Sequence, residues 1–174
     1  MKQKTKRNTR QKTGFLPVLT VIVLLAAAAV TLLPGMSDGD GGKSSKGTSL
    51  SAGSDLVIQT EEIGTEASYF DYDADGTTVQ VFAVRAADDT VRLALNTCQV
   101  CNGSPYAYFE QDGDDFVCQN CHNRFSSTDV GNLSGGCNPV PITAEARTEE
   151  DGTITVPSSF LEDNAARFTN WKKF

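Results

Sequence analysis

The chain has 174 residues, with 15 Lys and Arg against 22 Asp and Glu and a single histidine. Six of the cations fall in the first dozen residues, so beyond the apolar run nine cations face all 22 acids, a formal −13 that excludes nucleic acid as a partner. One histidine set beside a cysteine excludes a Ser/His/Asp set, and no phosphate-cradling glycine loop precedes a helix, so the chain is expected not to be an enzyme in its own right.

Residues 1–14 carry Lys2, Lys4, Lys6, Arg7, Arg10 and Lys12 without an acid, and residues 15–33 are apolar apart from Pro17, Thr20 and Thr31. A basic flank before a bilayer-length apolar run predicts a transmembrane anchor with the N-terminus in the cytoplasm, hence a single-pass cell-membrane protein whose C-terminal part is extracytoplasmic. A secretory signal cut after Ala26–Ala29 or near Gly35 is the competing reading; the run exceeds the usual signal core of about 7–15 residues, which favours the anchor. Residues 34–54 hold mostly Gly, Ser, Asp and Lys and read as a flexible tether, leaving 55–174 as one extracytoplasmic domain.

Within that domain the alternation over Thr78–Val84 and Thr90–Leu95, with Asp88-Asp89 between, predicts a hairpin that delivers Cys98. Asp71–Gly76 copies the opening of a calcium loop, but its twelfth position is Phe82 instead of glutamate, so a turn before the hairpin is the better reading. Tyr106–Glu110 and Asp115–Cys118 flank Asp112-Gly113, a tight-turn dipeptide, and form a second hairpin with one cysteine pair at each of its two ends. Thr153–Val156 is a short strand, and Pro157-Ser158 opens a helix with Ser158 as N-cap and Phe160, Leu161, Ala165 and Phe168 facing inward; Trp171 closes the core. The fold class expected is mainly β with a C-terminal helix, built around a small zinc-ribbon or rubredoxin-like knuckle hairpin, plus one N-terminal transmembrane helix.

The cysteines fall as Cys98-Gln-Val-Cys101 and Cys118-Gln-Asn-Cys121, with Cys137 in a glycine-rich loop. Two residues between thiols let one tight turn aim both at a single ion, and a hairpin sets the second turn opposite the first, so Cys98, Cys101, Cys118 and Cys121 are expected to ligate iron, an iron-sulfur cluster or zinc. Cys137 stands as a fifth ligand, a redox thiol or a buried free cysteine. Disulfides are the compartment's default, although five is odd and CxxC loops are short; thiol-disulfide exchange lacks a βαβ context. Cys118–His122 also spells a c-type haem attachment motif, disfavoured because no second axial ligand is evident and Cys98 and Cys101 are left without a role.

The run Leu95-Asn96-Thr97-Cys98-Gln99-Val100-Cys101, the second pair with Phe125 after it, and Val130-Gly131 leading to Gly135-Gly136-Cys137-Asn138-Pro139 resemble the FtrD-like membrane iron-sulfur proteins over 81–142. The resemblance implies an electron-transfer or iron-handling role beside a ferrous iron uptake system, with all five cysteines as functional candidates. With one membrane segment, transport itself would fall to a separate permease or redox partner in the membrane. A chain exported unfolded acquires its metal outside, which suits a single iron or a zinc as well as a cluster. The alternative function is a zinc-stabilised interaction module without redox activity.

Overall fold

The computed structural model describes residues 48–174; the predicted membrane segment and most of the tether lie outside the described residues. Among the described residues no helix is long and apolar enough to cross a membrane. They form a mainly β domain with one short helix near the C-terminus.

The central sheet contains β1 (Thr48–Leu50), β3 (Ser68–Ala74), β4 (Thr77–Arg85), β5 (Val91–Cys98) and β9 (Pro139–Pro141), in the order β1-β3-β4-β5-β9. The hairpin of β4 and β5 is the one that alternation predicts, lengthened at both strands so that Cys98 is the last residue of β5. Asp75-Gly76 joins β3 to β4 with φ of 50° and 84°, the left-handed pair that a two-residue turn between twisted strands requires. Asp71 and Asp73 therefore belong to a strand: Asp71 accepts from Gln80 Nε2 and Asp73 from the Gly76 amide, both at 2.6 Å, so the calcium-loop geometry is absent. Thr48–Leu50 falls inside the stretch that composition reads as tether, yet pairs in parallel with Phe70–Tyr72, and the Gly53 amide donates to the Tyr72 hydroxyl.

A second sheet joins β2 (Leu56–Gln59), β11 (Thr153–Val156) and β10 (Thr148–Glu150). A third holds β6 (Phe109–Asp112), β7 (Asp115–Cys118) and β8 (Arg124–Ser126). The β6–β7 turn is Gly113-Asp114, with Gly113 at φ 64° and Asp112 still in the strand, one residue later than the dipeptide suggests. Because Cys118 lies opposite Phe109 in this register, both cysteine pairs meet at the open end of the hairpin.

The helix α1 (Ser158–Asp163) is a single short element followed by a 3-10 turn over Ala165–Phe168. Ser158 is its first residue and not its cap: Pro157 holds the cap position, and the free Ser158 amide is satisfied by Asp55 Oδ1 at 2.8 Å. A proline there costs no hydrogen bond, and an aspartate reaching in from before β2 replaces the local cap. Leu161 and Phe168 are buried, and Trp171 closes the core as the sequence predicts, its indole N–H donating to the Asn96 carbonyl at 2.7 Å.

Two apolar clusters result. One contains Leu93, Leu95, Ile142, Leu161, Phe168 and Trp171; the other is an aromatic box of Phe82, Phe109, Phe116 and Phe125 that also includes Cys98 and Cys118. Phe82 and Phe116 pack with ring centroids 4.5 Å apart and planes tilted by 30°. Buried Asn96 is hydrogen-bonded across three strands: its Nδ2 donates to Gln80 Oε1 on β4 and its Oδ1 accepts from the Phe109 amide on β6, both at 2.7 Å. That polar clamp fixes the thiol-bearing hairpin against the central sheet, since leaving either partner buried and unpaired would cost about 1–3 kcal/mol.

Candidate metal centre

Three chain segments converge at the end of β5. In the first, Cys98 closes the strand, its amide donating to the Ala107 carbonyl at 3.0 Å, and the chain turns so that the Cys101 amide points at the Cys98 sulfur, 3.3 Å away. In the second, Cys118 closes β7 and the next turn folds back, with the His122 amide on the Cys118 carbonyl at 2.8 Å and the amides of Asn120 and Cys121 bearing on the Cys118 sulfur. Each pair is thus a knuckle in which backbone N–H groups face a sulfur. His122 takes a left-handed φ of 59° to complete its turn, so the position demands what glycine gives freely, and its ring is exposed.

The third segment carries Cys137, and distant pairing puts it there. Opposite Cys98 in the β5–β9 register stands Pro139, two residues past Cys137, and the Gln99 amide donates to the Asn138 carbonyl at 3.0 Å. Gln99 also grips the loop with its side chain: Nε2 donates to the Pro139 carbonyl at 2.9 Å and Oε1 accepts from the Gly135 amide at 2.8 Å. Gly131 anchors the loop's other end at φ +75°, where an added Cβ would stand 3.0 Å from the Leu93 carbonyl oxygen. Gln99 is a positioning residue that sequence reasoning missed, because a glutamine inside a CxxC turn carries no signal of what it will grip.

All five cysteines are free thiols. Cys98, Cys101, Cys118 and Cys137 have sulfurs that all lie within 4.8 Å of one another. Cys137 sits 3.4 Å from Cys98, 3.9 Å from Cys101 and 2.6 Å from Cys121. The mutually close four therefore include Cys137, while Cys121, exposed at the rim, lies against Cys137 and also interacts with Cys118 and Cys101. Burial pushes the Cys101 thiol up to about 11, with the neighbouring Cys98 adding to it. Burial also raises Cys118 and Cys137, the latter further through its sulfur neighbours, whereas hydrogen bonding from Cys137 lowers Cys121.

A set of four thiols with no carboxylate or imidazole among them suits iron or zinc and rejects calcium and magnesium. With a metal–sulfur bond of about 2.3 Å, sulfurs at the corners of a tetrahedron stand about 3.8 Å apart, close to the 3.4 and 3.9 Å seen here. Thioether attachment of haem along Cys118–His122 fits poorly, because Cys118 is fully buried in the aromatic box and would have to leave it.

A family model described as "Membrane iron-sulfur containing protein FtrD-like" matches residues 63–168, a span holding all five cysteines and the strands that deliver them. The chain belongs to this family. No curated protein and no solved structure matches it. The family description names membrane iron-sulfur proteins, and the thiol cluster fits metal binding.

Around the FtrD-like centre, residues 97–109, 116–123 and 130–144 contain no Asp, Glu, Lys or Arg, in a chain as acidic as this one. Val100, Tyr106 and Leu133, three of the few exposed large apolar side chains, lie on these segments. Much of these segments is buried, and Lys172 Nζ stands 4.6 Å over the Tyr108 ring, so a cation borders them.

Proposed function

We propose that this FtrD-like protein holds a single iron ion in a four-thiolate site and works as an electron-transfer or iron-handling partner of a membrane iron uptake system, anchored by residues 15–33 with the domain outside the cell. The observation that carries the proposal is the sulfur spacing. Each iron of a cluster brings its own thiolates, so ligands on different irons must stand farther apart than the edge of one tetrahedron. Four sulfurs all within 4.8 Å of one another match one ion. An iron held by four thiolates is the simplest iron-sulfur centre, so the reading agrees with the family description. When bound, the ion supplies a one-electron couple; the protein's part is to supply the thiolates, the N–H groups that face them and the shielding aromatic box. The exposure of Cys121 at the rim supports close approach by a partner, with no catalytic group of its own required.

Zinc is the second reading, favoured by the same donor set and by the way three segments are gathered at one point; the module would then be structural and its acidic surface would meet a partner. Metal analysis and a visible spectrum of the full chain, purified in detergent without oxygen, separate the two. Iron with thiolate charge-transfer bands that bleach on reduction supports the proposal. Colourless protein with zinc establishes the structural module instead, and metal-free protein without free thiols overturns both.

A further inference from the structure

Five thiols surround a site with four corners. Cys121 and Cys137 are 2.6 Å apart, much less than the roughly 3.8 Å that two corners of one thiolate tetrahedron require. They cannot both be corners as they stand: the separation is shorter than two non-bonded sulfurs allow, so one sulfur in this place excludes the other. Cys98, Cys101 and Cys118 complete a tetrahedral set with Cys137 as found, and with Cys121 they make the two CxxC pairs. Exposure separates the two candidates: Cys121 faces solvent, while Cys137 is half-buried on the loop that Gln99 grips.

We propose that Cys121 and Cys137 are alternative fourth ligands at one corner of the site, Cys121 receiving or releasing the ion at the surface and Cys137 closing over it. This rests on the single-ion reading above but does not depend on which ion is held. The exchange balances within the pair: a Cys137–metal bond forms as the Cys121–metal bond breaks, and the proton lost by the Cys137 sulfur is taken up by the released Cys121 thiolate. The ion keeps four thiolates and its oxidation state, and the site keeps its charge. Such a swap opens the centre without exposing a three-coordinate ion, which suits a protein that accepts or hands on metal.

The test uses the full chain in detergent with zinc alone as a redox-inert probe, and reads bound metal and the sites of iodoacetamide labelling. In the loaded wild type, Cys121 is the one thiol labelled. Cys121→Ser and Cys137→Ser each keep one ion, with affinity within about tenfold of wild type. In loaded Cys137→Ser, Cys121 becomes protected. The double variant loses the ion, as does Cys118→Ser. Loss of the ion in either single variant, retention in the double variant, or labelling of Cys137 in the loaded wild type overturns the exchange. A wild-type chain that takes up no zinc overturns the four-thiolate reading on which it rests, and the two failures are told apart by whether metal is bound at all. Circular dichroism on each variant confirms that the β fold persists, so that metal loss is not read from an unfolded chain.

Discussion

The two apolar clusters of this domain are built for different ends. The first, on the side of α1, is sealed by aliphatic residues, Phe168 and Trp171, and contains no cysteine; the second is an aromatic box into which Cys98 and Cys118 are themselves packed. The first needs only to exclude water. The second must also hold two sulfurs rigidly while leaving a third and fourth to arrive on loops, so it uses large flat side chains with few rotamers as a floor and hydrogen-bonded turns as walls. Both clusters therefore stabilise the fold, and the second also positions the thiols.

That difference can be broken most severely by acid. Burial holds Cys101, Cys118 and Cys137 above the ordinary thiol range, Cys101 at about 11, so near neutral pH these three thiols carry protons that the ion must displace. The sign follows: metal affinity rises as pH climbs toward the thiol range and falls as pH drops, by up to about tenfold per pH unit for each proton displaced. Competition with a chromophoric chelator from pH 8 to pH 6 should show that steep loss, while circular dichroism stays unchanged because the first cluster contains no cysteine.

Truncations in the two clusters should then diverge. Phe116→Ala removes the ring packed on Phe82 and is expected to cost about 3–5 kcal/mol, and to loosen the ion as well because Cys118 shares the cluster. Leu161→Ala costs about 2–5 kcal/mol in the first cluster and should leave ion affinity per folded molecule unchanged. Urea unfolding paired with chelator competition separates them; equal effects on the ion would remove the distinction.

Asn96→Ala sharpens the boundary between the regions. It strands Gln80 Oε1 and the Phe109 amide, an expected loss of about 3 kcal/mol, and unpins the hairpin that carries Cys118. Faster amide exchange across β6 and β7 than across β4 would show the clamp failing at that seam. Smaller again is Gly131→Ala, which forces a side chain into a left-handed position 3.0 Å from the Leu93 carbonyl and should cost about 1–3 kcal/mol, read as a lowered thermal midpoint. The smallest effect is a gain: His122→Gly relieves a left-handed φ of 59° and should stabilise the domain by about 1 kcal/mol while keeping the ion. Loss of the ion on that change would make His122 a ligand.

What can be read from the sequence follows the range of the interactions. The β4–β5 hairpin shows in local alternation, and the two CxxC knuckles in their spacing, because each is closed by neighbours in the chain. Strand β2 does not show: four residues pair with β11 about a hundred positions away, and nothing local marks them. The same distance hides the place of Cys137, which depends on Cys98 facing Pro139 and on Gln99 gripping the loop. The helix cap lies one residue from its expected place because the capping carboxylate comes from Asp55, far away in sequence. Sequence thus marks the candidate thiols but not which four lie closest, since that follows from a β pairing and a side-chain grip that span some forty residues.

The single-ion centre is the claim on which the rest depends, and X-ray absorption at the iron edge of the anaerobically loaded full chain tests it most directly. The account predicts one shell of four sulfurs at about 2.3 Å and no neighbouring iron. An iron–iron distance together with acid-labile sulfide would contradict it, and would mean that the thiols must spread apart to admit a cluster.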